Sequence, residues 1–322
     1  MWHPQGKYVR LLILTASVAL VIAYCFRHRS DLSVIQSLSA LDVTFLLLLI
    51  ASANLIAACK LFVMLRWLGV EDMAFRQWIQ IFTVSRLANY CVAQGTNVYR
   101  AVMLKRAYSF SYSESIGVTI VVTCLDLASV GIVTGLLLLA VSQFKSIGGF
   151  LMLGIGIIAT VPLLVLPRIV RRIDQSIVPP ESGWFGWTVD RLRIFFSVLT
   201  RCMQDRRKVV FLSVMAILVY VTALTGTAIC LRAFAGDISA SDVIVLTSAF
   251  VLSRMINIVP GNLGVSELFT GLSAGVLMDQ MMYGVMVSGM FRIIDFAVLG
   301  TAWLALAAIQ VLTVRHKMPR GG

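Results

Sequence analysis

Ser85-Arg86-Leu87-Ala88-Asn89 recurs 168 positions later as Ser253-Arg254-Met255-Ile256-Asn257, each copy inside an apolar stretch. Asp126 lies 37 residues after Asn89, and Asp295 lies 38 residues after Asn257, again in apolar runs. Arginine, asparagine and aspartate are costly at membrane depth, so a duplicated set of them points to a duplicated site. Three matching residues are a short motif. Its weight depends on whether the flanking apolar runs keep the same offset.

Composition supports a membrane setting. Of the 322 residues, 59% are hydrophobic and 13% charged, and mean hydropathy is +0.91. That profile excludes a soluble domain. The first apolar run, 9–26, follows Lys7 and Arg10 but ends in Cys25-Phe26-Arg27-His28-Arg29, with no small-residue cleavage site, and reads as a retained span. Net charge is +12. The basic residues fall in loops, where the positive-inside rule and anionic lipid account for them, and no nucleic-acid motif is present. The six cysteines are scattered and the three histidines sit at or beyond span ends, so no metal site or cofactor is expected.

Full-length helical runs are expected at about 9–26, 41–65, 114–142, 147–167, 208–232 and 281–314. Two further regions, 76–110 and 243–279, each have two short arms around a break. The breaks are Gln94-Gly95-Thr96-Asn97 and Pro260-Gly261-Asn262-Leu263-Gly264. Each arm is short for a span, and the freed backbone needs protein or water around it, which describes a re-entrant hairpin. With six spans and two hairpins, 19 of the 27 basic residues fall on one side, with both termini cytoplasmic. Shifting 41–65 by 168 gives the fifth span, and the hairpins and the Asp126 and Asp295 spans superpose likewise. The expected fold is therefore an all-α polytopic membrane protein with about six transmembrane helices and two re-entrant hairpins. Its repeats are 1–144 and 145–322. Three crossings per repeat make the repeats inverted. The loop 168–207 carries Val189, Leu192, Phe196, Leu199 and Met203 at helical spacing beside Arg191, Arg193 and Arg201. It reads as a basic amphipathic helix on the cytoplasmic surface.

Several polar residues are candidates for substrate binding. In Pro260-Gly-Asn-Leu-Gly-Val-Ser-Glu267, Gly261 and Gly264 permit a tight turn, and Asn262 or Ser266 is placed to cap the returning helix. That helix N-terminus is an expected anion site, with Glu267 as a structural or site acid. Arg292 and Asp295 share a helix face at i, i+3, as a local ion pair or as a phosphate-holding arginine oriented by carboxylates, with Glu267 as a candidate third member. Thr123 stands where Arg292 would be in the first half, so Asp126 needs a distant partner among Arg86, Arg100 or Arg254. Arg86 and Arg254 would either snorkel to the nearer surface or face a cavity, and the recurrence of Asn89 and Asn257 on the same helical face favours the cavity. Lys60 is expected to snorkel to the surface. Gly, Ala and Ser positions in 147–160 and 271–275 read as helix-packing sites.

Pro260-Gly261-x-x-Gly264-x-x-Glu267, followed 25 residues later by Arg292 in the last span, resembles the lysylphosphatidylglycerol synthase transmembrane-region family of flippase-like proteins. The stretch Asn89 to Arg106, with Glu114 and Asp126, resembles that family's other region. The family's frequent proline-glycine turn is Val92-Ala93-Gln94-Gly95 here, and its arginine before the aspartate is Thr123. The resemblance implies movement of phospholipid or polyprenyl-type lipid between leaflets. Only eight residues follow Val314, so the soluble aminoacyl-transferase domain is not expected, nor is lysylation. The expected role is a non-enzymatic lipid translocator in a bacterial-type cytoplasmic membrane. It would take anionic headgroups on Arg86, Arg254 and Arg292, with Asn89, Arg100, Asp126, Asn257, Gly261, Gly264, Glu267 and Asp295 completing the site. The same residues fit an ion-coupled solute transporter, or a non-transporting partner of an envelope-biosynthesis enzyme.

Overall fold

The structure, a computed structural model, describes residues 37–141, 148–174, 184–203, 205–255 and 259–317. The expected first span at 9–26 and Asn257 lie outside these residues. Ten helices of fourteen or more residues form the described part. In chain order they are α1 (Ala40–Trp67), α2 (Phe75–Cys91), α3 (Gly95–Tyr108), α4 (Tyr112–Ala140), α5 (Gly148–Asp174), α6 (Trp184–Met203), α7 (Arg206–Ala235), α8 (Ala240–Met255), α9 (Val265–Met278) and α10 (Met281–Lys317). Among the described residues, α1, α4, α7 and α10 contain stretches long and apolar enough to cross a bilayer. Each has few or no charges over 18 residues, and much of its surface faces outward with leucine, valine and isoleucine.

The helix starts follow from short polar signals. Ser39 and Asp42 form a capping box at α1, and Ser111 and Glu114 form another at α4. Ser239 and Asp242 bond reciprocally in the same way at α8. These satisfy amide groups that would otherwise be orphaned at the helix starts.

The two broken regions each fold as a pair of short helices, α2–α3 and α8–α9. The breaks differ in chemistry. In the second, Gly261 and Gly264 take φ of 58° and 79° around a 3-10 turn at Pro260–Asn262. In the first, Gln94 itself adopts the left-handed conformation, at φ 61°. Gly95 there lies against the Ala88 carbonyl, where any Cβ would collide.

The interior has two apolar cores. One joins the second half of α1 (Ala58, Leu61, Met64, Leu65) to α2, α3, the start of α4, α6 and the start of α7. The other joins the first half of α1 (Leu46, Ile50) to the end of α7, α8, α9 and α10. The middle of α1, around Asn54, thus lies between two cores, and the charged site forms there.

Two packing details bear on the sequence expectations. The α4–α5 contact is built on small residues: a Cβ on Gly131 would stand 2.6 Å from the Gly156 amide nitrogen. Helix α6 forms as the periodicity of 168–207 requires. One of its faces, Val198 and Cys202, is buried in the first core, so α6 docks on protein along that side.

Candidate functional site

The two copies of the serine-arginine motif converge. Ser85 and Ser253 are fully buried, and each hydroxyl donates to the carbonyl three residues back, Phe82 and Phe250, at 2.7 Å. With the serines turned inward, both arginines reach the same carboxylate. Asp295 Oδ2 accepts from Arg86 Nη2 at 3.1 Å and from Arg254 Nη2 at 3.3 Å. It also accepts from the Tyr90 hydroxyl at 2.8 Å, and Asp295 Oδ1 accepts from Asn54 Nδ2 at 2.7 Å. Asp295 is 2% exposed, so its charge would be strongly unfavourable without these donors. Four residues on three helices therefore hold one carboxylate.

Asp295 does not pair with Arg292, its i, i+3 neighbour, contrary to the local ion pair considered from sequence. Arg292 Nη2 instead reaches Glu267 on α9, with a nearest N···O distance of 2.9 Å to that carboxylate. It also donates to the Ser266 hydroxyl at 2.7 Å and the Asn262 carbonyl at 3.1 Å. Asp295 is held by donors from α1, α2 and α8, and the two neighbours turn to different partners.

Glu267 also changes the reading of the α9 N-terminus. Its Oε2 accepts from the Gly264 amide at 2.8 Å. The expected anion position at this helix end is thus occupied by the chain's own carboxylate. Neither Asn262 nor Ser266 caps α9 by side chain as expected. Asn262 Nδ2 donates to the Ser253 carbonyl, and the Ser266 hydroxyl lies between Arg292, Ser288 and Glu267. Arg292, Ser266 and Glu267 form a closed clasp that fastens α9 to α10.

Lys60 does not snorkel. It is 4% exposed and forms an ion pair with Asp126 across α1 and α4. The expected long-range partner of Asp126 is therefore this lysine, not Arg86, Arg100 or Arg254. A lysine stem long enough to reach a surface is held inward because a buried carboxylate lies within its reach.

Cavities among the described residues surround these groups. A polar chamber of about 250 Å³ lies where the turn of α2–α3 meets the turn of α8–α9, with Gly261 packed on Tyr90. Its walls include Arg86, Asn89, Asn97, Arg100, Thr119, Thr123, Asp126, Arg254 and Asp295. A second chamber of about 250 Å³, largely apolar, shares Arg86, Asp126, Arg254 and Asp295 with the first as lining residues. The third is an apolar groove of about 580 Å³ between α3 and α4, flanked by exposed Val98, Tyr112, Ile116 and Ile120. Asn97 and Thr119 line both this groove and the polar chamber, so a charged pocket and an apolar slot share a wall.

A family model of the lysylphosphatidylglycerol synthase TM region matches residues 8–302. The chain belongs to this family. Comparison with curated proteins and with solved structures gives no match. Membership together with the four long apolar helices makes this lysylphosphatidylglycerol synthase TM-region protein a multi-pass membrane protein linked to lipid handling.

Of the residues singled out from sequence, the structure of this family member brings Arg86, Asn89, Arg100, Asp126, Arg254, Gly261 and Asp295 to the polar chamber. Glu267, Gly264 and Arg292 form the adjoining clasp, and Arg292 borders a small cavity beside Tyr90 and Arg254. Sequence reading missed Asn54 and Tyr90, both bonded to Asp295. Asn54 carried a signal: an amide in the middle of an otherwise apolar span is itself uncommon. It also missed the buried hydroxyl triangle of Thr134, Tyr220 and Ser248, which ties α4, α7 and α8 at 2.8–3.0 Å. Nothing in the spacing of those three residues distinguishes them from isolated hydroxyls.

Proposed function

We propose that this protein moves a lipid between the leaflets of a bacterial-type cytoplasmic membrane, acting as a carrier and not as an enzyme. The observation that carries this reading is the shared wall of the charged chamber and the apolar groove at Asn97 and Thr119. A lipid has this same division, a polar headgroup joined to apolar chains. A headgroup in the chamber would meet Arg86, Arg100 and Arg254 while a chain occupies the slot between α3 and α4. A water-soluble solute would have no use for the slot.

We further read the fold as an inverted repeat with both termini cytoplasmic and six full spans, counting 9–26 and α5. The order long helix, short pair, long helix recurs as α1, α2–α3, α4 and α7, α8–α9, α10. Equivalent serines make equivalent bonds in the two copies. The Asp295 cluster, which borders both chambers, would then be the barrier that opens toward one side or the other.

The test is purified protein in liposomes carrying a fluorescent phospholipid, with leaflet exchange read by quenching from outside. Exchange above empty liposomes, reduced by Arg254→Ala, supports the proposal. Exchange no faster than in protein-free liposomes for every phospholipid class tried would rule it out.

A further inference from the structure

Around the chamber, charges do not balance. Lys60 is neutralised by Asp126, and Arg292 by Glu267. Asp295 is a single carboxylate facing both Arg86 and Arg254. Arg100 has no carboxylate within ion-pair distance among the described residues. Its guanidinium lies over the rings of Trp78 and Phe82, 5.7 Å from each centroid, and its Nε is buried without a hydrogen-bond partner. Among the described residues, five cations face three carboxylates, which leaves two positive charges uncompensated. Both belong to the polar chamber, since Arg86, Arg100 and Arg254 all line it. Aromatic faces hold a guanidinium in place but do not neutralise it. Uncompensated charge at membrane depth is strongly disfavoured, so the chamber is built for an anion that supplies what the protein lacks.

We infer that the headgroup this chamber accepts is a terminal phosphate monoester, and that aminoacylated or other amine-bearing headgroups are disfavoured. This rests on the lipid-carrier reading above. A terminal phosphate carries roughly −1.5 to −2 charge at neutral pH and offers three acceptor oxygens. The guanidinium forks of Arg86, Arg100 and Arg254 match such an acceptor. An ammonium headgroup would need a free carboxylate. Asp126, Glu267 and Asp295 are each already engaged by cations. A phosphodiester such as phosphatidylglycerol brings one charge and would leave the other uncompensated. Thr123, which stands where the first half would have a counterpart of Arg292, lines the same chamber as Arg100.

The test uses the full-length protein with four probes: short-chain phosphatidic acid, a short-chain polyprenyl phosphate, short-chain phosphatidylglycerol and inorganic phosphate. Lysyl-phosphatidylglycerol is the amine-bearing control. Binding is read by heat stabilisation in detergent, and movement by exchange in liposomes. The two phosphate-monoester lipids should bind roughly tenfold or more tightly than phosphatidylglycerol, and the lysyl lipid weakest. Which monoester lipid binds better identifies the chain type. Arg100→Gln should remove most of that preference, and Arg100→Lys should retain part of it. If Arg100→Gln does not fold, Thr123→Asp serves instead: an added carboxylate should narrow the preference for phosphatidic acid over phosphatidylglycerol. Equal binding of monoester, diester and lysyl lipids by the unaltered protein overturns the inference while leaving the carrier reading intact. Monoester-selective binding without exchange of any lipid keeps the phosphate site and removes the carrier reading. Stabilisation by inorganic phosphate as strong as by phosphatidic acid would make the ligand a free phosphate and overturn the lipid assignment.

Discussion

Replacing Lys60 with alanine would leave Asp126 charged and without its partner between α1 and α4. Losing one member of a buried pair typically costs 3–5 kcal/mol. About 3 kcal/mol is expected here, the low end, because the Asp126 side chain keeps 28% exposure. Removing both residues takes away the stranded charge, so Lys60→Ala with Asp126→Ala should be more stable than Lys60→Ala alone. Thermal unfolding of the singles and the double would show it, and strict additivity would mean that the pair contributes nothing as a pair. Asp295→Asn behaves differently. Its two arginines reach the chambers, with side chains 30% and 38% exposed, so water can take over part of the solvation. The expected loss of stability is smaller, roughly 1–3 kcal/mol, and on the proposed function lipid exchange should fall further because the proposed barrier is no longer fixed. A fall in melting temperature greater than that of Lys60→Ala would contradict this ordering.

At the scale of elements, the α4–α5 contact is the most sensitive to added volume. A leucine at Gly156 would drive its Cβ into the Ile132 amide and side chain, at 2.7 and 2.9 Å. Overpacking of this kind costs about 1–3 kcal/mol. The melting temperature of Gly156→Leu should drop, whereas Gly154→Leu on the same helix should leave it nearly unchanged, because nothing lies within 4 Å of a Cβ there. Equal effects would mean that close backbone approach does not hold this pair together. The helices themselves were readable from sequence. Apolar runs gave α1, α4, α7 and α10, and the glycine-bearing breaks gave the short pairs, because run length and backbone permissiveness are local properties. Packing through small residues at Gly149 and Gly156 was readable for the same reason. Partner choice was not. The i, i+3 spacing of Arg292 and Asp295 suggested a pair with Glu267 as a third member, whereas Arg292 bonds Glu267 and Ser266 on α9 and leaves Asp295 to other donors. Lys60 looked like a surface-seeking lysine because Asp126 is 66 positions distant in the chain. Which of several buried charges meet depends on how helices pack, and no single helix face records it.

Across the whole molecule, the proposed inversion of the two halves makes a prediction about sidedness. The loop between α1 and α2 contains Glu71, and the loop between α7 and α8 contains Asp237; both are exposed. In an inverted repeat these equivalent loops lie on opposite faces of the membrane. With both termini cytoplasmic, Glu71 falls on the cytoplasmic side and Asp237 outside. A membrane-impermeant maleimide applied to intact cells should therefore label Asp237→Cys directly. Glu71→Cys should react only after the membrane is opened. The background must lack Cys91, which is exposed in the native chain. Labelling of both positions from outside would place equivalent loops on one face and remove the inverted repeat. Lipid exchange tests the groove. Ala101 lines it between α3 and α4, away from the charged cluster. Ala101→Trp should fill the slot and slow lipid exchange several-fold, while heat stabilisation by inorganic phosphate, where it is seen, persists. If exchange continues unchanged with the slot filled, the lipid chain travels elsewhere, and the shared wall at Asn97 and Thr119 loses its place in the transport path.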